Sequence, residues 1–353
     1  MKKWLKVALC ILLAVVLLVG GYVAYVFIDY HRLGDMTLTP THNADTAESG
    51  TVYTMISYNI GFGAYESDYG FFMDGGTESR AWSKERLTKN LTAISTFLQE
   101  QDADFYLLQE VDTGATRTYQ VDERTYFTEA LSGMSWVYCQ NYDSPYLMYP
   151  LLKPHGASHA GLMTFSTADI AAASRVELPI EGGFMKLLDL DRCYSVSRVP
   201  VSGSKELVLY NLHLSAYTSD GTIATEQLKL LLADMQAEYE SGNWCVAGGD
   251  FNKDLLGDSA AWFGEADQSY SWAQPIPAET FAGVDISLAA PLDENDPVPS
   301  CRNADGPYHE GQYVLTVDGF LTTPNVTVSQ ATVLDTGFAW SDHNPVKMTF
   351  TLS

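Results

Sequence analysis

The sequence predicts an α/β fold in which two sheets pack together under covering helices, preceded by one N-terminal transmembrane helix. Three observations predict it. Nine short runs rich in β-branched or aromatic residues are bounded by Gly, Pro, Asn or Asp. Two amphipathic stretches of helical period lie among them. An uncharged apolar run fills most of the first 30 residues.

That run extends from about Val7 to Ile28 and approaches the roughly 20 residues needed to cross a bilayer. Lys2, Lys3 and Lys6 precede it, and no convincing small-residue cleavage site follows it. The expectation is an uncleaved anchor over 1–30, with a cleaved signal as the alternative. The lysines keep the N-terminus cytoplasmic. The chain is then a single-pass protein of the cell membrane whose remainder is extracytoplasmic. Residues 31–50 are polar and read as a tether. From residue 51 to 353 no second linker or repeat breaks the chain, which predicts one catalytic-sized domain.

Strands are expected at 52–59, 104–110, 161–166, 192–201, 206–214, 244–248, 313–322, 326–334 and 346–352. A helix is expected over 83–101, capped by Ser83, with Leu87, Leu91, Ile94 and Leu98 on one face. A second is expected over 223–240, with Leu228, Leu231, Leu232 and Met235 facing inward. Many strands with few helices suggest two stacked sheets.

Acidic residues number 44 against 20 Lys and Arg, a net charge of −24. Such a surface disfavours tight nucleic-acid binding, which depends on neutralising backbone phosphates, and it suits divalent cations. Plain solubility explains the charge equally well. The five cysteines contain no CxxC pair, which argues against a zinc site. Cys193 and Cys245 read as isolated buried thiols, although an extracytoplasmic domain permits disulfides.

Polar residues recur where apolar strands end, the usual place for a site held on a rigid frame. Asn59 ends the first run, Glu110 the second, and His213 lies near the end of the fifth. Asp250 and Asn252 follow WCVAGG, Asp318 interrupts TVDGFL, and Asp342 and His343 precede the last strand. Each has a structural reading: a turn for Asn59, a cap for Glu110, an Asx-turn for Asp250 and Asn252, a satisfied core histidine for His213. Asp318 resists one, because an unpaired buried carboxylate is costly; His343 is a candidate partner.

SYNIGFG (57–63), LLQEVD (107–112), NLHLSA (211–216), GGDFN (248–252), VDGFL (317–321) and SDHNPV (341–346) occur in this order. Together they resemble the motifs of the endonuclease/exonuclease/phosphatase superfamily, which includes deoxyribonucleases, neutral sphingomyelinases and inositol polyphosphate 5-phosphatases. The resemblance covers 52–353 and implies a four-layer α/β/β/α sandwich of the DNase I-like kind. It implies a phosphoester hydrolase dependent on Mg²⁺, with Mn²⁺ or Ca²⁺ as alternatives. Glu110 matches the main metal ligand, with Asn59 supporting both it and the phosphate, and Asp342 assisting the metal or water. Asp250 matches the group that orients or deprotonates the attacking water, and Asn252 a residue that polarises the phosphate. His343 would donate to a phosphoryl oxygen with Asp318 fixing its tautomer, and His213 would touch the scissile phosphate or the leaving oxygen.

The strand at 161–166 is followed by Thr167 where the family often has arginine. Arg302 is the expected substitute phosphate contact, a solvated loop arginine being the other reading. The aromatic, Pro-rich stretch 141–159 could wall the substrate near a membrane surface, or simply cover the core. His155 and His159 lie within it, and 217–222 beside His213 could line the same cleft. Expected partners are a phosphorylated small molecule, lipid headgroup or nucleic acid as substrate, the membrane through the N-terminal helix, and no obligate protein. An extracellular DNase-like endonuclease is the competing function, and a catalytically inactive surface binding domain the competing class.

Overall fold

The computed structural model describes residues 3–182, 190–203, 205–216, 222–264 and 272–353. In chain order its elements are α1 (Lys3–Asp29), β1 (Met36–Leu38), β2 (Val52–Asn59), α2 (Lys84–Gln101), β3 (Phe105–Asp112), α3 (Arg124–Ala130), β4 (Ser135–Asp143), β5 (His159–Ser166), β6 (Ala172–Glu177), β7 (Cys193–Val201), β8 (Lys205–His213), α4 (Thr222–Glu240), β9 (Trp244–Asp250), α5 (Ser259–Phe263), β10 (Ser287–Ala289), β11 (Cys301–Arg302), β12 (Val314–Leu315), β13 (Asp318–Thr322), β14 (Val326–Val333) and β15 (Val346–Leu352).

Two sheets form the frame. One has the order β1-β6-β7-β8-β9-β13-β10, the other β14-β15-β2-β3-β5-β4; β11 and β12 make a separate ribbon. Met55, Phe105, Leu107, Leu209, Val246, Phe320 and Met348 fill the space between the sheets. Outside the second sheet, Leu87, Leu91, Ile94 and Leu98 of α2 cover Ile56 and Tyr58. Outside the first, Leu228, Leu231 and Met235 of α4 cover Val208 and Tyr210. The result is the expected α/β/β/α sandwich. Ser83 caps α2 by accepting a bond from Arg86 N at 3.1 Å. Helix α1 is long and apolar enough to cross a membrane, or to serve as a signal sequence.

Several expectations need correction. The segment read as a tether, 31–50, is laid along the domain. Its β1 pairs with β6, Thr41 pairs with Trp136, and Asn43 Nδ2 donates to Thr167 O at 2.8 Å. Its polar side chains thus satisfy neighbouring backbone instead of water. The run at 313–322 breaks into β12 and β13, which lie in different sheets. Strands β4 and β6 went unread because SWVYCQNYD and AASRVE mix polar residues into both faces. Cys193 is not isolated, since its Sγ lies 3.6 Å from that of Cys139.

Side-chain alternation decides what points between the sheets. On β8, Leu207 and Leu209 face inward, so Asn211 and His213 follow them; on β9, Val246 sets the face of Gly248 and Asp250. On β2, Tyr53 and Met55 set the face of Ser57 and Asn59. The interior is therefore apolar at one end and polar at the other. Gln109 Nε2 donates to Asn211 Oδ1 at 2.8 Å and to Ser57 Oγ at 3.2 Å. Asn211 Nδ2 donates to Met163 O at 2.9 Å. This buried network bolts the sheets together directly beneath the polar rim.

Candidate active site

Strand register brings three of the residues into one row. Across β8, β9 and β13, His213 pairs with Asp250, and Asp250 with Asp318. The second sheet contributes Asn59 from the end of β2 and His343 from the loop before β15. Asn59 Nδ2 lies 3.1 Å from Asp250 Oδ2, 3.3 Å from Glu110 Oε1 and 3.5 Å from His343 Nε2. One amide thus touches residues from both sheets. Ser341 Oγ holds the Asn59 backbone by donating to its carbonyl at 2.8 Å.

Glu110 reaches the site by an irregularity. The β3–β5 register shifts between Leu108 and Val111, and Glu110 takes a left-handed φ of 57°. Regular alternation would put Gln109 and Glu110 on opposite faces. The bulge re-aims the carboxylate into the cavity, a costly conformation held by its surroundings.

His343 Nδ1 lies 2.8 Å from Asp318 Oδ2, which also accepts from Ser300 Oγ at 2.8 Å. Burial opposes a charged His343, but the Asp318 carboxylate wins and holds its pKa well above 6.5. Burial pushes the Asp250 carboxyl up to about 7, against the pull of His343. His213 Nε2 is 3.5 Å from Asp250 Oδ2. Burial, with Arg192 and His343 nearby, keeps His213 neutral. Burial raises Glu110 and Asp342 too, and the Asp342 carboxylate pushes Glu110 further up.

The side chains surround a cavity of about 410 Å³, whose wall includes Glu110, His213, Asp250, Asn252, Asp342 and His343. Among the described residues, Asp250, Asp318 and His343 are the one group of three such side chains with ligand atoms within 4.8 Å of one another. They make a poor cation cage, because the shortest of these contacts is the His343–Asp318 hydrogen bond. Glu110 and Asp342 fit a hard divalent cation better: two mutually repelling oxygen donors at one cavity wall.

A family model described as "Endonuclease/Exonuclease/phosphatase family" matches residues 56–343. The chain belongs to the endonuclease/exonuclease/phosphatase family. Members of this family are hydrolases of phosphoesters. None of the curated proteins matches the chain. Solved family folds do. An endonuclease/exonuclease/phosphatase from Beutenbergia cavernae DSM 12333 is 17% identical, with TM-score 0.56 over 86% of this chain and 72% of its own. ANGEL2, a 2',3'-cyclic phosphatase in complex with adenosine-2',3'-vanadate, is 16% identical, with TM-score 0.55 over 90% and 99%. The human Nocturnin catalytic domain with bound sulfate is 16% identical, with TM-score 0.51 over 90% and 98%.

Within this family member some assignments need revision. Both Nη atoms of Arg302 are committed to backbone carbonyls, of Asn303 and Gly306 and of Glu66 and Tyr69. Arg302 knits loops together, although it borders the cavity. Thr167 sits next to Ser166, which pairs with Phe105 at the end of β3 remote from Glu110. An arginine there could not reach this cavity. Asn252 N donates to Asp250 Oδ1 at 2.9 Å, so the Asx-turn forms as well. Its Nδ2 donates to Leu214 O at 2.7 Å, leaving one N–H for a ligand. His155 lines the cavity, and burial lowers its pKa to about 3. His159 instead pairs with Asp143 at 3.1 Å, away from the cavity wall. Of 217–222, residues 217–221 lie outside the described residues.

Sequence reasoning passed over Gln109, Asn211, Ser300 and Ser341. All four stand within two residues of a named site residue or hydrogen-bond to one. The polar residue two before His213, on the same strand face, was the available signal.

Proposed function

We propose that this chain hydrolyses a phosphate ester with the help of a divalent cation, Mg²⁺ by preference, on the extracytoplasmic face of the membrane. The supporting observation is the convergence at Asn59, whose amide lies within 3.5 Å of Glu110, Asp250 and His343. Glu110 and Asp342, with Asn59 nearby, would hold the cation, which supplies positive charge against the phosphoryl oxygens. Asp250 orients the attacking water and takes its proton. His343, protonated and steered by Asp318, donates from Nε2 to a phosphoryl oxygen as negative charge builds there. Neutral His213 and the spare N–H of Asn252 bind the remaining phosphate oxygens.

The test is hydrolysis of bis-p-nitrophenyl phosphate by the purified full-length chain. The reading expects turnover that EDTA abolishes and Mg²⁺ restores. EDTA-resistant turnover, or none with any divalent ion, would count against it.

The histidine pair gives a pH prediction. His343 acts protonated, so activity is present below its raised pKa and is lost as pH rises through it. Asp318→Asn removes the carboxylate that raises this pKa. The alkaline limb of kcat/KM should move down by about one pH unit or more, since one unit corresponds to only about 1.4 kcal/mol of lost interaction. An unmoved limb would show that another group sets it.

A further inference from the structure

The end of α1 does not stand clear of the domain. Tyr22 Oη donates to Tyr146 O and accepts from Met148 N, both at 3.1 Å. Tyr25 Oη accepts from Tyr146 N at 3.0 Å, and Val26 is buried. At about 1.5 Å rise per residue, Tyr22 lies roughly 10 Å below Asp29 along the helix. Loop 146–148 is thereby held beside the last two turns of the apolar helix, with two tyrosines where a membrane–water boundary favours them.

The next residues of this loop are apolar and bare. Leu151 and Leu152 are 79% and 101% exposed, and Met148 and Tyr149 are exposed beside them. A cluster of this kind marks a contact surface. It also leads to the cavity. The Tyr149 ring lies 5.7 Å from that of Phe72, and the Phe72 ring 5.9 Å from that of His155, a cavity residue. Exposed Met73, next to Phe72, lines the cavity as well.

We infer that loop 148–152 dips into the outer boundary of the membrane that α1 crosses, and that the site takes its phosphoester from a lipid headgroup presented there. This deepens the hydrolase reading and rests on it. The occupant is set by continuity with α1: the backbone that carries the apolar tip is hydrogen-bonded to the apolar helix itself. The net charge of −24 points to zwitterionic rather than anionic lipid. In the reaction, water oxygen bonds to phosphorus and the bond to the glyceryl oxygen breaks. One water proton passes to Asp250 and, in the end, a proton reaches the leaving oxygen. The products are a phosphorylated headgroup and diacylglycerol.

Docking is read without catalysis. The full-length Cys10→Ser, Leu152→Cys chain carries an environment-sensitive fluorophore in phosphatidylcholine vesicles; the other four cysteines are buried. Doxyl-labelled phosphatidylcholine should quench most of the emission at 152. It should leave unchanged a label at Thr327→Cys, exposed at the opposite end of the sheets. A water-exposed, unquenched label at 152 overturns docking, as does one shielded without lipid quenching, which would indicate a protein partner. For the substrate, phosphorylated headgroup should be released from the same vesicles. Leu151→Asp with Leu152→Asp should lower the ratio of headgroup release to bis-p-nitrophenyl phosphate turnover about tenfold. Turnover of the soluble diester with no headgroup release overturns the lipid assignment. Loss of both activities in the wild type would sink the hydrolase reading, while the quenching result still decides docking.

Discussion

Replacing Glu110 with Gln is expected to lower Mg²⁺-dependent kcat/KM by about 10³-fold, roughly 4 kcal/mol of transition-state stabilisation. Gln keeps the volume and can still accept from Asn59 Nδ2, so the bulge and the φ of 57° have no new reason to relax. What goes is the charge. The Asp342 carboxylate raises the pKa of Glu110, and a cation beside them would relieve that repulsion. A ligand that binds only the folded state stabilises it by mass action, about 2.7 kcal/mol at a hundredfold excess over Kd. Mg²⁺ should therefore raise the wild-type Tm by about 4 °C or more and leave Glu110→Gln nearly unmoved. Equal Tm shifts in both proteins would place the cation elsewhere; unchanged kcat/KM would end the role given to Glu110.

Asp250→Asn should cost about 10²- to 10⁴-fold in kcat, the range a positioned general base supplies. The substitution removes the proton acceptor. It also sets a second amide beside Asn59 Nδ2, which now donates to Asp250 Oδ2 at 3.1 Å. The pH profile separates the two effects. Asp250 must be ionised to act, and burial holds its carboxyl at about 7. Its contribution is present above that pKa and is lost as pH falls through it; a bound cation would move the limb lower. The wild-type rate should show an acid limb that disappears in Asp250→Asn. A persisting limb would assign it to another carboxylate, such as Glu110.

Much of this site was legible because strand ends are legible. The runs ending at Asn59, His213 and Asp250 are apolar along most of their length, so a polar residue at the end of each stands out. Asp318 announced itself by the cost of an unpaired buried carboxylate, and His343 is the partner that the geometry supplies. The misreadings have a shared cause: they depended on where loops go. Arg302 follows a proline-rich stretch, and nothing local reveals that two distant carbonyls, of Glu66 and Tyr69, would join two of its own loop in occupying its guanidinium. Thr167 gained importance from motif position, whereas register puts it at the wrong end of the sheet. The route of Glu110 through a β-bulge leaves no period in the sequence. The 31–50 segment looked like a tether because its apolar content is low, but its binding is through backbone pairing, to which composition is blind.

The most direct test is the position of a divalent cation, located by anomalous scattering from Mn²⁺ in crystals of the full-length protein. The account predicts one strong peak at about 2.1 Å from a Glu110 carboxylate oxygen, the distance expected for a small octahedral cation. A peak seated between Asp318 and His343, with none at Glu110, would contradict it.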